Sequence, residues 1–246
     1  MMNCKVNVRL KDTVEVFTKR LYFLLFDEQE GDFNFLQEQF LKLTNGISYK
    51  EGNQLWEKFK SRIPEIREKL NLDAQAFQNN DPANKCLEEI YLAYPGFHAI
   101  SIHRLSHELS MLNLPIIPRM MSEYIHGITG IDIHPRATIG NSFFIDHGTG
   151  TVIGETTIIK NDVKIYQGVT LGGLHVKKSL SNTKRHPTIE DNVVIYANAT
   201  VLGGDVVIGA NSIIGANVCI TGSIPENSVV TYKKEYKIRT KHSESK

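Results

Sequence analysis

The sequence predicts an α-helical first half followed by a β-solenoid, and three observations support this prediction. Between residues 12 and 126 apolar residues recur at steps of three and four, which is the period of amphipathic helices. From Ile131 to Pro225 an aliphatic residue returns about every six positions, the register of a coil with three short strands per turn. The segment 172–188 interrupts this repeat once. The predicted parts are a helical domain, a solenoid with an inserted loop at 172–188, and a C-terminal tail: 1–130, 131–228 and 229–246.

The six-residue repeat forms a ladder with one interruption and one later slip of a single residue. Its residues before the interruption are Ile133, Ile139, Ile145, Thr151, Thr157, Val163 and Val169. Its residues after the interruption are Ile189, Ile195, Val201, Ile208, Ile214 and Ile220. We expect each ladder residue to point into the coil, with glycine, asparagine or aspartate at the corners, because these residues tolerate left-handed turn conformations.

The helical half contains recognisable start and stop signals. Thr44-Asn45-Gly46 ends a helix, and Pro64 predicts the start of a new helix, because proline disrupts a helix interior. Asp81-Pro82 reads as an N-cap followed by proline at the first helical position, with the helix running to Tyr94. Two further helices are predicted before the solenoid begins near Ile131. Their bounds are 97–112 and 118–126.

Composition excludes several classes of function. The 246 residues are 41% hydrophobic and carry 28 Lys plus Arg against 27 Asp plus Glu, so no net field attracts nucleic acid or an anionic membrane. Three widely spaced cysteines favour a reducing compartment. We find no signal peptide or bilayer-spanning run and expect a cytoplasmic protein. His103 and His107 have metal-ligand spacing, but no acidic residue lies between them, and we predict no metal site.

Five motifs fall in register with the solenoid. They are DIHP, IDHGTG, VIGET, VTLGG and RHP, at 132–135, 145–150, 152–156, 169–173 and 185–187. In order and content they resemble the serine O-acetyltransferases, a family of hexapeptide-repeat acyltransferases. The resemblance reaches back to Asp81-Pro82-Ala83 and Gly96-Phe97-His98-Ala99 and covers about residues 80–228. It implies a left-handed parallel β-helix.

The resemblance also implies a reaction. Acetyl is transferred from acetyl-CoA to the hydroxyl of L-serine, giving O-acetyl-L-serine and CoA, the first step of cysteine biosynthesis from serine. A serine hydroxyl is a weak nucleophile at neutral pH and needs a base. His147 matches the family's catalytic histidine, and Asp132 matches its partner carboxylate. Their separation of 15 residues (147 minus 132) does not by itself pair them across a coil of about 18 residues.

Matching family positions supply the two substrate clamps. Arg185 and His186 are expected to bind the serine carboxylate, and Asp81 and Asp146 are expected to accept hydrogen bonds from its ammonium group. A neutral sugar would not require these clamps, so they favour an amino acid.

The acyl donor requires a second set of residues. We expect a backbone N–H of Gly172 or Gly173 to stabilise the oxyanion, and Lys177 and Lys178 to bind the CoA phosphates. No permanently bound cofactor is expected. The segment 227–232 departs from the family's usual CoA-contacting sequence after the last coil.

Partners follow from the same resemblance. We expect a homotrimer or a dimer of trimers, with sites between neighbouring coils, and feedback inhibition by L-cysteine. Apolar surface around Tyr166, Val194 and Tyr196 gives a neighbouring copy something to cover. The chain ends in Lys246 rather than isoleucine, so docking to O-acetylserine sulfhydrylase is not predicted.

Three alternatives remain open at this point. The first is an O-acetyltransferase of the same fold that acts on another hydroxyl, such as that of a sugar. The second is a non-catalytic scaffold of the same fold. The third is a γ-type carbonic anhydrase, against which the wide spacing of His134, His147, His175 and His186 argues.

Overall fold

The computed structural model describes residues 7–27, 32–174 and 183–233. Within these ranges the first half of the chain forms six helices, and we find none among them that is long and apolar enough to cross a membrane. The helices are α1 Leu10–Phe26, α2 Asp32–Gly46, α3 Gly52–Asn80, α4 Leu87–Ala93, α5 Pro95–Met111 and α6 Ile117–Thr129.

Fourteen strands of two or three residues follow in the described ranges. They are β1 Asp132–Ile133, β2 Thr138–Ile139, β3 Phe144–Ile145, β4 Val152–Ile153, β5 Ile158–Ile159, β6 Lys164–Ile165, β7 Thr170–Gly172, β8 Thr188–Ile189, β9 Val194–Ile195, β10 Thr200–Leu202, β11 Val207–Ile208, β12 Ile213–Ile214, β13 Cys219–Ile220 and β14 Val229–Val230.

The helices pack through the apolar face that their periodicity predicted. Trp56, Phe17 and Phe40 are fully buried at the centre, with ring centroids of Phe17 and Phe40 5.7 Å apart and those of Phe40 and Trp56 5.4 Å apart. Offset and tilted aromatic pairs of this kind add to the free energy of burying their area.

Two helix boundaries differ from prediction. The predicted break at Pro64 is wrong, because α3 continues through it. Ile63 and Ile66 extend the buried face across the proline, while Pro64 itself is exposed, so packing outweighs its local cost. The predicted helix start at Asp81 is also wrong, since α4 begins at Leu87. Asp81 instead follows the end of α3, and its Oδ1 accepts a hydrogen bond from the Ala83 N–H at 2.8 Å.

The strands form three parallel sheets that are the faces of a left-handed β-helix. Face A contains β1, β4, β7, β10 and β13, face B contains β2, β5, β8 and β11, and face C contains β3, β6, β9, β12 and β14. Pairing of β14 with β12 carries the solenoid past the predicted limit at residue 228.

The three faces of the β-helix form a prism, and two of its edges carry the histidines His147 and His186. The His147 edge joins face C to face A and includes residues 146–151, 166–169 and 196–199. The His186 edge joins face A to face B and includes residues 134–137, 154–157 and 183–187.

Between residues 151 and 169 the predicted ladder is wrong, because its residues lie two positions before the strand residues that point into the coil. Six residues, 146–151, join β3 to β4, whereas four join β1 to β2 and β4 to β5. Ile133 consequently pairs with Ile153, 20 residues later (153 minus 133). The strand residues that point inward are therefore Ile153, Ile159, Ile165 and Leu171. Thr151, Thr157, Val163 and Val169 are buried at the corners two residues earlier, which kept the six-residue spacing intact.

A buried ion pair joins the helices to the first coil. Both oxygens of Asp73 on α3 are bound by Arg104 on α5, at 2.5 and 2.7 Å. Asp73 also accepts a hydrogen bond from the Phe143 N–H at 2.9 Å, and Arg104 donates to the carbonyl oxygens of Ile139 and Gly140. The Asp73 carboxylate and the Arg104 guanidinium are thus both hydrogen-bonded where the helices meet the first coil.

Replacing Asp73→Ala is expected to lower the free energy of unfolding by about 3–5 kcal/mol, because it leaves the Arg104 charge buried without a partner. Urea denaturation measures this change. The control is Glu65→Ala, since Glu65 is 43% exposed and pairs with Arg62 and Lys69 at the surface. That control should lose far less stability than Asp73→Ala, because exposed ion pairs are weak. Equal losses in the two variants would contradict the role given to Asp73.

Two histidines of α5 lie close to Arg104 in sequence: His103 is buried and His107 is half-buried. His103 is 3% exposed and its ring centroid lies 5.6 Å from that of His107, whose Nδ1–H donates to the Pro135 carbonyl at 2.9 Å. Burial lowers the pKa of both imidazoles, and neighbouring positive charge lowers the pKa of His103 further. Both side chains are therefore neutral in the folded protein at neutral pH.

We expect stability to fall as the pH drops from about 7.5 to 5.5. The unfolded chain gains protons near the usual histidine pKa of about 6.5, while the buried histidines stay neutral, so the unfolded state binds more protons. Each such histidine costs up to about 1.4 kcal/mol per pH unit below that value. Urea denaturation at pH 7.5, 6.5 and 5.5 measures the slope, and His103→Leu should flatten it. Stability that stays level or rises on acidification would refute this account.

Candidate active site

His147 lies on the enlarged corner between β3 and β4. Its φ is +56°, and Gly148 and Gly150 also have positive φ, so the corner needs residues that tolerate the left-handed region. The His147 side chain is 73% exposed, and its Nε2 lies 3.7 Å from Oδ1 of Asp146. The two extra residues of this corner therefore present an imidazole and a carboxylate side by side to solvent.

Aromatic packing brings the end of α3 against this corner. The rings of Phe77 and Phe144 meet edge to face, with centroids 4.8 Å apart. A Cβ on Gly96 would lie 2.5 Å from the Ile145 carbonyl oxygen, so only glycine allows α5 to approach β3 this closely. Asp81, four residues after Phe77, thereby comes near His147.

Hydrogen bonds hold the Asp81 carboxylate in its charged form. The Tyr94 hydroxyl donates to Oδ2 at 2.6 Å, and the Ala83 N–H donates to Oδ1. These bonds lower the pKa of Asp81, with a smaller contribution from His147. Burial and Asp81 raise the pKa of Tyr94 to about 12. Asp146 and His147 on the His147 edge, together with the nearby Asp81, thus bring two carboxyl groups and one imidazole together.

Arg185 and His186 lie on a different edge. The Arg185 guanidinium is bound by the Glu155 carboxylate, and His134 lies close enough for its pKa to be affected by both charges. The His134 Nδ1 accepts a hydrogen bond from the Arg136 N–H at 3.1 Å. Burial, followed by nearby positive charge, lowers the pKa of His134 to about 4.

The tautomer of His186 follows from its contacts. Its Nδ1 lies 3.0 Å from the Thr156 backbone N, which can only donate, so Nδ1 is the acceptor and the proton is on Nε2. The side chain is 9% exposed, and burial lowers its pKa to about 4, helped by the Arg185 charge. His186 is therefore a neutral imidazole that can donate a hydrogen bond from Nε2.

The remaining predicted residues are placed as follows. Asp132 lies on face A beside Glu123 and His126, whose ligand atoms are all within 4.8 Å of one another. Over the described ranges no hydrogen bond or ion pair joins Asp132 to His147, so their pairing stays a prediction. Gly172 ends β7, and a Cβ on Gly173 would lie 3.3 Å from the Arg185 carbonyl oxygen. Lys177 and Lys178 lie outside the described residues.

The structure brings the predicted residues together as two groups. Asp146 and His147 lie on the His147 edge, with Asp81 of the helical half near them. Arg185 and His186 lie on the His186 edge, and face A separates the two edges. Sequence reasoning missed Tyr94, Glu155 and Thr156. The last two lie inside the VIGET motif, so a signal was present without an assigned role.

Known proteins resemble this chain in both parts. Residues 42–102 match the family described as "Serine acetyltransferase, N-terminal", and residues 186–222 match "Bacterial transferase hexapeptide (six repeats)". A plasmid-encoded serine acetyltransferase of Synechococcus elongatus is 44% identical over 207 residues, which cover 82% of this chain and 64% of that protein. The chain thus spans just under two thirds of the length of this relative.

Solved structures extend the comparison. Serine acetyltransferase isoform 3 of Entamoeba histolytica, in complex with cysteine, superposes with a TM-score of 0.78 at 40% identity, covering 94% of this chain and 84% of its own. Serine acetyltransferase of Brucella abortus, in complex with coenzyme A, gives 0.67 at 30% identity, covering 89% and 80%. At these identities and coverages the chain belongs to the serine acetyltransferase family.

Proposed function

We propose that this protein transfers acetyl from acetyl-CoA to the hydroxyl of L-serine, giving O-acetyl-L-serine and CoA, the first step of cysteine biosynthesis from serine. One observation carries the proposal. An exposed imidazole, His147, lies beside Asp146 and near Asp81, while a guanidinium and a neutral imidazole donor lie on the next edge. A base, two carboxylates and a carboxylate clamp are the groups that acylation of an amino-acid hydroxyl needs.

The chemistry requires one proton to move twice. His147 takes the proton of the serine hydroxyl while the oxygen attacks the thioester carbon, and a tetrahedral oxyanion forms. When that intermediate collapses, the C–S bond breaks and the imidazolium returns the proton to the departing CoA sulfur. Asp132 remains the proposed partner that orients the imidazole.

Recognition of serine depends on opposite charges at its two ends. The carboxylates of Asp81 and Asp146 accept hydrogen bonds from the ammonium group. Arg185 and the Nε2–H of His186 donate to the carboxylate. A neutral sugar leaves both clamps desolvated and unpaired, which disfavours it as acceptor.

Acetyl-CoA is the proposed acyl donor, and no permanently bound cofactor is needed. Support comes from the Brucella abortus relative, which is described in complex with coenzyme A. Gly172 and Gly173 remain the proposed source of the oxyanion N–H, and Lys177 and Lys178 the proposed phosphate ligands.

We also propose that the site forms between copies of the chain. The two groups lie on separate edges of one rigid prism, so a neighbour's His186 edge must meet the His147 edge to complete the clamp. A three-fold arrangement satisfies this at three equivalent sites, and two trimers can pair through their helical domains. Tyr166 and Tyr196 stack with ring centroids 5.0 Å apart on the His147 edge, and Tyr196 is 41% exposed, leaving apolar surface for a neighbour to cover.

Two further features belong to the proposal. L-cysteine is expected to inhibit by occupying the serine clamp, which the cysteine complex of the Entamoeba histolytica relative supports. A cytoplasmic location is supported by the free, exposed thiols of Cys86 and Cys219, since such thiols persist in reducing compartments.

Release of CoA thiol from acetyl-CoA tests the reaction. We expect rapid release with L-serine but not with glycine, L-threonine or a simple sugar, and inhibition by L-cysteine when serine is subsaturating. His147→Ala should lower kcat by a factor of about 10²–10⁴ with the assembly intact, because it removes the general base. Release of CoA with the sugar alone would support another acceptor. No release of CoA with any acceptor would support the scaffold alternative.

Complementation between inactive variants tests the shared site. His147→Ala and Arg185→Ala each disable a different edge, so mixed assemblies contain interfaces in which both edges are intact. Random mixing at equal amounts should restore about a quarter of the wild-type activity, one half times one half, if neighbours share a site. The control is each variant refolded alone in the same way. No recovery in assemblies shown by mass to be mixed would mean that the site lies within one copy.

A further inference from the structure

Glu155 and Thr156 occupy the corner that follows β4, and nothing in the proposed reaction yet uses them. The Oγ1 and backbone N of Thr156 make four contacts with Arg185 and His186 of the carboxylate clamp. Its Oγ1 lies 2.9 Å from the Arg185 N, 3.1 Å from the His186 N and 2.9 Å from the His186 Nδ1, and its backbone N lies 3.0 Å from the same Nδ1.

The hydrogen-bonding capacity of a hydroxyl assigns each of these contacts. A threonine hydroxyl has one donor and two acceptor lone pairs. The two backbone N–H groups, of Arg185 and His186, can only donate, so they take both lone pairs of Oγ1. The hydroxyl proton then points to the Nδ1 of His186, where the Thr156 N–H also donates. The donor and both acceptor lone pairs of the Thr156 hydroxyl all have partners in this arrangement.

Other contacts confine the same segment. The His186 ring lies so close over Gly154 that a Cβ at that position would collide with its Cδ2 and Nε2. Lys184 Nζ donates to the carbonyl oxygens of Thr156 at 3.2 Å and His186 at 2.6 Å. The Glu155 carboxylate holds the Arg185 guanidinium, with side-chain exposures of 25% and 23%. The end of the inserted loop is thus fastened to the coil one turn below it.

We propose that Thr156 and Glu155 are the positioning residues of the carboxylate clamp: Thr156 fixes the backbone of Arg185 and His186 and keeps the His186 proton on Nε2, while Glu155 holds the Arg185 guanidinium. This inference rests on the proposed function. Neither residue touches the reacting atoms, so both act on serine binding and leave proton transfer at His147 unchanged.

Thr156→Val tests the hydroxyl, because valine keeps the shape and the backbone N–H but leaves two buried N–H groups without an acceptor. We expect the KM for serine to rise about tenfold or more, with kcat and the KM for acetyl-CoA within about twofold of wild type. Thr156→Ser, which retains the hydroxyl, should restore most of the serine affinity.

The next residue provides a matched control. Thr157 is 1% exposed, and its Oγ1 has no hydrogen-bond partner among the described residues. Thr157→Val therefore removes the same atom from the adjacent position without breaking a contact, and its serine KM should stay within about twofold of wild type. Circular dichroism and thermal unfolding of all three variants separate a local effect from loss of the fold.

Nitrogen chemical shifts of His186 give a readout that a purely structural role would not move. In the wild type at pH 7 we expect a neutral ring with the proton on Nε2. A ring that is protonated, or carries its proton on Nδ1, would overturn the part given to Thr156. So would a serine KM that Thr156→Val leaves unchanged, or a kcat that falls as much as kcat/KM.

Glu155 is tested separately by Glu155→Gln, which keeps the size but weakens the hold on Arg185. We expect a rise in serine KM of about threefold or more, with kcat unchanged. A fall in serine KM would show instead that Glu155 competes with the substrate for Arg185, and would overturn its role here. If the wild-type protein releases no CoA with serine, the proposed function fails first, and the His186 nitrogen shifts still test the role of Thr156.

Discussion

The buried ion pair of Asp73 and Arg104 is the contact on which the arrangement of this protein depends. It joins two helices to each other and, through three backbone groups of residues 139–143, to the first coil. A buried pair of this kind gives little net stability over apolar packing, but it accepts only one geometry. That geometry lets Phe77 meet Phe144 and so brings Asp81 to His147. The helical half thereby contributes directly to the site.

The second constraint is the enlarged corner at residues 146–151. A regular coil returns every 18 residues, as Ile153 and Leu171 do, and the corners on either side of β5 have four residues each. Two additional residues, with positive φ at His147, Gly148 and Gly150, give room for an exposed imidazole at the end of face C. The repetitive coil supplies rigidity, and the enlarged corner at 146–151 supplies the proposed base.

The histidines of the site differ in their surroundings. His134 and His186 are held neutral by burial and by nearby positive charge, and each accepts a backbone N–H at Nδ1. These contacts fix their protons on Nε2, which suits hydrogen-bond donation to an anion. His147, by contrast, has a side chain that is 73% exposed. His186 is thus buried on one edge, whereas His147 is exposed on the other.

Periodicity in the sequence determined the class of each half and the position where helix gives way to strand, because burial of one face repeats at a spacing set by local geometry. The motifs also supplied the residues that we propose for both clamps. Tertiary structure decided the rest. The continuity of α3 through Pro64 and the later start of α4 depend on packing partners far away in sequence, and the inward residues of the second coil depend on two inserted residues that a six-residue pattern conceals. The division of the site between two edges, and the contacts of Thr156 with a segment 30 residues later, arise only when the coil closes in space.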